Sequence, residues 1–214
     1  MYALLSTDEG GEMRPEARRQ REEQIEAAAY NLLDERGYAG LSMLGIAKAA
    51  NASNETLYRW YGDKQGLFKA LVRRNAEQVR QLLEENLAKK QPTTKTLKSF
   101  GPLLLELLLG PKAIALNRAA AADSSGELGS AIAQEGRARI LPLLSAVIAR
   151  AQADGLFKNG SSDDVADVYV RLLVGDLQIR RAIGVMNVPA KAMRRKRSDE
   201  ALAMIQRLFG GESN

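Results

Sequence analysis

Leu41-Ser-Met-Leu-Gly-Ile-Ala-Lys-Ala-Ala-Asn-Ala-Ser-Asn-Glu-Thr-Leu-Tyr-Arg-Trp-Tyr61 is the stretch that decides how the chain folds. Ser42 is placed to cap a short helix over 43–50, whose apolar face carries Ile46, Ala47 and Ala50. Asn51-Ala52-Ser53 then reads as a tight turn. Asn51 tolerates the left-handed backbone such a turn needs, and Ser53 can cap the next helix. That second short helix runs over 54–61 and stops before Gly62. Helix, three-residue turn and helix match a helix-turn-helix. In that unit the first helix braces against a nucleic-acid backbone and the second enters the major groove by its N-terminal end.

The second helix opens with short polar side chains, Ser53, Asn54, Glu55 and Thr56, which can approach base edges. Asn54 suits an adenine edge and Glu55 a cytosine amino group. Leu57 is expected to face the core, while Tyr58, Arg59, Trp60 and Lys64 supply donors for phosphate oxygens. A plain helical hairpin with a solvated polar face has the same spacing. Tyr58, Trp60 and Tyr61 favour the functional reading, because one helix face cannot bury all three.

Outward from this stretch the pattern stays helical. Ala, Leu, Glu, Arg and Gln dominate, period-two alternation is hard to find, and the expected fold class is all-α. A helix is expected over 15–36, buried through Ile25, Ala28, Ala29, Leu32 and Leu33 and stopped by Gly37. A long helix over 63–90 turns Leu67, Phe68, Leu71 and Val72 inward, and Gln91-Pro92-Thr93-Thr94 breaks it. Gly101-Pro102 kinks or restarts the next helix, and Gly110-Pro111 ends it. Further helices are expected over 112–123, 135–153 (with Pro142 as a kink), 163–183 and 198–209. This organisation gives a flexible tail over 1–14, a helix-turn-helix domain over 15–63 and a helical domain over 64–214.

Composition narrows the chemistry. The chain of 214 residues has neither Cys nor His, which excludes disulfides and thiolate catalysis and removes the usual general base and commonest metal ligand. No metal or cofactor is expected. An enzyme would need carboxylate, Lys, Ser or Tyr chemistry, and no paired constellation suggests one, so no catalytic residue is assigned. The N-terminal Met1-Tyr-Ala-Leu-Leu-Ser6 lacks signal-peptide character, and the apolar run Leu103–Leu109 is short and interrupted by Glu106. A cytoplasmic protein without membrane contact is expected. The net charge of +5 lies wholly in residues 77–214, since residues 1–76 carry 11 basic and 11 acidic side chains. Lys191, Arg194, Arg195, Lys196 and Arg197 account for an excess of that size, in what reads as the connection between the last two helices. A solvated loop or a contact with nucleic acid or an acidic effector would explain them. Arg14, Arg18, Arg19 and Arg21 read as a solvated helix start or as an arm reaching the DNA backbone or minor groove.

Residues 19–72 resemble the N-terminal domain of the tetracycline-repressor (TetR) family of bacterial transcriptional regulators. The matching pieces are Ile25-Glu-Ala-Ala-Ala29, Gly37-Tyr-Ala-Gly-Leu-Ser42, Ile46-Ala47, Ala52-Ser53, Thr56-Leu-Tyr-Arg-Trp-Tyr61 and Asp63-Lys-Gln-Gly-Leu67. The resemblance implies a dimeric regulator, usually a repressor, that binds a palindromic DNA operator and answers to a small-molecule effector. It implies that Ser42 and Lys64 meet phosphate, that Asn54, Glu55 and Thr56 read bases, and that Tyr58 touches backbone or base. Asn51 replaces a usual glycine, Trp60 a more usual His, Tyr or Phe, and Leu44-Gly45 stand where some relatives place polar contacts. The apolar stripes Val168, Tyr169, Leu172, Leu173 and Leu202, Ile205, Leu208, Phe209 would be explained by an internal core. The resemblance instead implies half of an intersubunit four-helix bundle, the homodimer interface. An effector pocket is expected among the helices from Thr94 to Leu177. Asn117, Tyr169 and Gln178 are candidate contacts, and Arg118, Asp123 and Gln134 are further polar groups in the same context. The effector's identity is not legible.

Overall fold

Two serine hydroxyls and one left-handed asparagine shape the first third of the chain. The computed structural model describes residues 15–210, and every regular element among them is helical. The expected tail over 1–14, Arg14 included, lies outside the described residues. The chain divides between Asp63 and Lys64 into two compact units.

In the first unit, α1 spans Pro15–Arg36, α2 Met43–Ala49 and α3 Asn54–Tyr61. α2 packs on both α1 and α3. The buried apolar residues include Ile25, Ala28, Ala29 and Leu33 of α1, Leu41 before α2, Met43, Ile46 and Ala47 of α2, Ala50 at its end, and Leu57 of α3. Glu26 and Tyr30, one turn apart on α1, are also buried. Burial, and then the Glu26 carboxylate, raise the Tyr30 phenol well above its ordinary range.

The second unit contains α4 (Lys64–Ala88), α5 (Thr93–Leu109), α6 (Pro111–Ala121), α7 (Glu127–Ile132), a π-helical turn (Ala133–Arg137), α8 (Ala138–Ala153), α9 (Ser162–Val174), α10 (Leu177–Ala182) and α11 (Lys191–Phe209). α5, α8, α9 and α11 enclose a core built on Leu97, Phe100, Leu105, Leu144, Ile148 and Tyr169, and α4 packs against α5 and α8. The Phe100 and Tyr169 rings lie 6.0 Å apart between centroids. Gly101 makes this approach possible: a Cβ there would fall 2.0 Å from Ser198 Oγ and 2.7 Å from Tyr169 Oη. Burial pushes the Tyr169 phenol up to about 12. No single described helix is long and apolar enough to cross a membrane.

The structure departs from the sequence reading at four places in this unit. Of the kink or restart expected at Gly101-Pro102, the restart does not occur: α5 runs through both residues, its buried face continuing from Phe100 to Leu104 and Leu105. The helix expected from residue 135 begins at Glu127. The Asp123 carboxylate accepts the Leu128 N–H at 2.9 Å and Ser125 donors as well, so this carboxyl is held below its usual range. The helix then passes into α8 through the π-helical turn. The helix expected over 163–183 is two, separated at Gly175, whose φ of +50° ends α9.

The fourth departure concerns the basic cluster. α11 begins at Lys191, so Lys191–Arg197 are helical and not a loop. Arg197 donates to the Leu172 and Leu173 carbonyls, at 2.6 and 3.1 Å, within the last turn of α9, where such groups lack intrahelical partners. Arg194 donates to the Pro189 carbonyl and to Glu106 of α5. Two of the five charges therefore join helices.

Candidate nucleic-acid interface

Ser42 adopts extended backbone, and its Oγ accepts the Gly45 N–H at 3.1 Å, capping α2. Asn51 takes φ +50°, and the Ala52 N–H returns to the Ala47 carbonyl at 2.9 Å, which closes the turn. Ser53 Oγ accepts the Thr56 N–H at 3.0 Å and lies 2.7 Å from Thr56 Oγ1. Ser53 thus caps α3 as expected, and Thr56 also spends hydrogen-bonding capacity on that cap, an engagement that the sequence reading did not anticipate.

At 3.6 residues per turn, Asn54, Glu55, Tyr58 and Arg59 share one arc of α3, Leu57 and Trp60 lie on the other, and Tyr61, seven residues after Asn54, falls at the boundary between them. Burial follows this division. Asn54, Glu55 and Arg59 are exposed, Tyr58 is 51% exposed, and Leu57 is fully buried. Trp60 and Tyr61 are half-buried, so Tyr58 is the aromatic that faces solvent. The Arg18 guanidinium stands 5.3 Å from the centroid of Trp60, and Arg21 donates to the Asn51 carbonyl at 3.1 Å. Arg18 and Arg19 also pair with Glu22 and Glu23. Arg18 and Arg21 thus tie α1 to α3 and to the turn, whereas Arg19 is 75% exposed and pairs within α1. Lys64 is half-buried and opens α4.

A capped two-helix unit with a polar, outward arc is the local geometry that major-groove readers use. The sequence profile for bacterial regulatory proteins of the tetR family matches residues 25–71. That for AefR-like transcriptional repressor C-terminal domains matches residues 95–210, more than half the chain. The chain belongs to the TetR family. Members are non-enzymatic, DNA-binding transcription factors, and this chain is a TetR-family transcriptional regulator. It is similar to a TetR transcriptional regulator from Agrobacterium tumefaciens at 27% identity, with 94% of this chain and 97% of that one covered and a TM-score of 0.71. A TetR-family regulator from Mesorhizobium loti MAFF303099 shares the fold at 24% identity, with 94% and 100% covered and a TM-score of 0.74. So does the transcriptional regulator FadR from Bacillus subtilis, solved in complex with stearoyl-CoA, at 20% identity, with 86% and 96% covered and a TM-score of 0.64. A search among curated proteins finds no match.

The second unit of this TetR-family chain holds a cavity of about 640 Å³. Its walls are Val72 and Ala76 of α4, Leu104 and Leu108 of α5, Leu116 of α6, Ile132 of α7, Ile140 of α8 and Val170 and Val174 of α9. Asn75, Asn117, Arg137, Arg171 and Gln178 add polar groups. Two of the three candidate contacts, Asn117 and Gln178, line it. Their amide nitrogens donate to the Ala113 and Leu108 carbonyls, at 2.8 and 3.3 Å. Tyr169 does not line it; it is fully buried in the core, with its hydroxyl toward the Leu97 carbonyl at 3.4 Å. Arg118 donates to the Ala182 carbonyl, Asp123 caps α7, and Gln134 donates to Ser130. Arg137 and Arg171 went unnoticed in the sequence because nothing local distinguishes them from other helix-surface arginines.

The expected dimer stripes also need correction. Tyr169, Leu173, Leu202 and Ile205 are buried in the chain's own core and offer no surface to a partner. Val168, Leu172 and Phe209 are half-buried, and Leu208 is 58% exposed. Both stripes were wider than one contact, and their inner halves serve the monomer.

Proposed function

We propose that this regulator is a repressor that binds a two-fold symmetric operator as a homodimer in the cytoplasm and releases it when a small molecule fills the cavity. The observation that carries the reading is the outward arc of α3, with Asn54, Glu55, Tyr58 and Arg59 opposite a fully buried Leu57. Asn54 and Glu55 read base edges, and Ser42, Tyr58, Arg59 and Lys64 hold phosphates. A partner copy would cover Val168 and Leu172 of α9 and Met204 and Leu208 of α11, each pair one helical turn apart.

The small-molecule reading is supported by the cavity and by a relative solved with stearoyl-CoA. Val72, Asn75 and Ala76 put α4 in the cavity wall, and the same helix begins at Lys64, directly after the first unit. A ligand that favours one position of α4 therefore biases what that helix carries. Linkage bounds the effect: a hundredfold loss of operator affinity requires about a hundredfold preference of the ligand for the released state.

Duplexes selected from random DNA, followed by light scattering of the free and bound protein, test this reading. Two chains per duplex are expected, and Leu172→Glu with Leu208→Glu should give monomers that bind the duplex at least tenfold more weakly. Tight binding by a single chain would refute the dimer.

A further inference from the structure

We infer that the cavity takes an anionic amphipath, and that Asp167 holds the place of the ligand's charged head. The inference rests on the cavity being the effector site. Among the described residues no carboxylate lines the cavity; Asp167 lies outside its walls, and its charge is taken up by two arginines that do line it. The nitrogens of Asn117 and Gln178 are already engaged by helix carbonyls. The cationic donors in its wall are Arg137, at the end of the π-helical turn, and Arg171 on α9. Both reach the same carboxylate: Asp167 Oδ1 lies 2.5 Å from Arg137, and its Oδ2 lies 2.5 Å from Arg171.

Two guanidinium groups sharing one carboxylate retain a net positive charge and further donors. The side chains of Arg137 and Arg171 are 53% and 75% exposed, which places them where the apolar cavity meets solvent. Ion pairs this exposed contribute little to stability, so replacing or sharing Asp167 costs little. A carboxylate or phosphate on an aliphatic body satisfies both requirements at once: the body fills the apolar cavity, and the head forms charge-assisted hydrogen bonds to both arginines. Asp167 then acts as a built-in competitor, and its removal should sharpen the preference for anions.

The test is calorimetric titration of the full chain with decanoate, decyl phosphate, decan-1-ol and decylamine below their micelle concentrations. One anion, or both, should bind about tenfold more tightly than the alcohol, a margin expected for hydrogen bonds to a charged group at an exposed site. The stronger of the two anions identifies the head group. Decylamine should bind most weakly. Arg137→Ala with Arg171→Ala should bring the anions to the affinity that the same variant shows for decanol, while Asp167→Asn should tighten anion binding alone. Equal affinity for anion and alcohol in the unaltered protein, or no change in their ratio in Asp167→Asn, would overturn the inference and leave the cavity reading intact. No binding by any of the four would overturn both.

Discussion

Leu57→Ala removes the one fully buried side chain of α3, the residue that ties the outward arc to the rest of its unit. A buried Leu→Ala change costs about 2–5 kcal/mol, and α2, which packs on α3, contributes Met43 and Ile46, themselves buried. Taking ~3 kcal/mol and an m-value of ~1.5 kcal/mol per molar urea, the midpoint should fall by about 2 M. The chain has a single tryptophan, Trp60, and it lies in the same helix, so intrinsic fluorescence reads this unit selectively. Urea titrations of both proteins, followed at the tryptophan emission, measure the shift. Operator binding should weaken in parallel, because α3 must be folded to present Asn54 and Tyr58. A midpoint within about 0.5 M of the unaltered protein would refute the claim that Leu57 anchors the helix.

Three further outcomes are expected. Gly101→Ala would drive a Cβ to 2.0 Å from Ser198 Oγ, and overpacking of this kind costs about 1–3 kcal/mol, read as a lower Tm by calorimetry. The depressed Asp123 carboxyl stabilises the folded state above its unfolded pKa of about 3.9, and that contribution is lost as pH falls through its lower folded value. The Tm gap between Asp123→Ala and the unaltered protein should thus be present near neutral pH and close in acid. At the DNA, Tyr58→Ala should weaken all duplexes alike, whereas Asn54→Ala should relax discrimination at one base pair by about 1–3 kcal/mol, measured by gel shift against single-base variants.

The bounds of α1, α2 and α3 were legible in the sequence because local chemistry sets them. Ser42 and Ser53 cap, Asn51 turns, and Gly62 stops, each within a few residues of the helix it controls. The exposed candidates Asn54, Glu55, Tyr58 and Arg59 follow from the same periodicity. Where the reading failed, the cause was tertiary. Helix α11 starts at Lys191 because Arg194 and Arg197 find carbonyl acceptors near Pro189 and in α9, far from the pattern that suggested a loop. The split at Gly175 hides inside an apolar run, and the start at Glu127 depends on a side-chain cap from Asp123. Tyr169 reads equally as core, interface or ligand contact until its neighbours are known. The cavity draws a few residues from each of several helices, so no local window of sequence contains it.

The central claim is that the outward arc of α3 reads duplex DNA, and selection of bound sequences from random duplexes tests it most directly. Enrichment of a two-fold symmetric sequence is expected, with half-sites about one helical turn, or a multiple of it, apart. Affinity for that sequence should fall steeply with salt. Failure to enrich any symmetric sequence, or enrichment unchanged in Asn54→Ala with Tyr58→Ala, would contradict the claim.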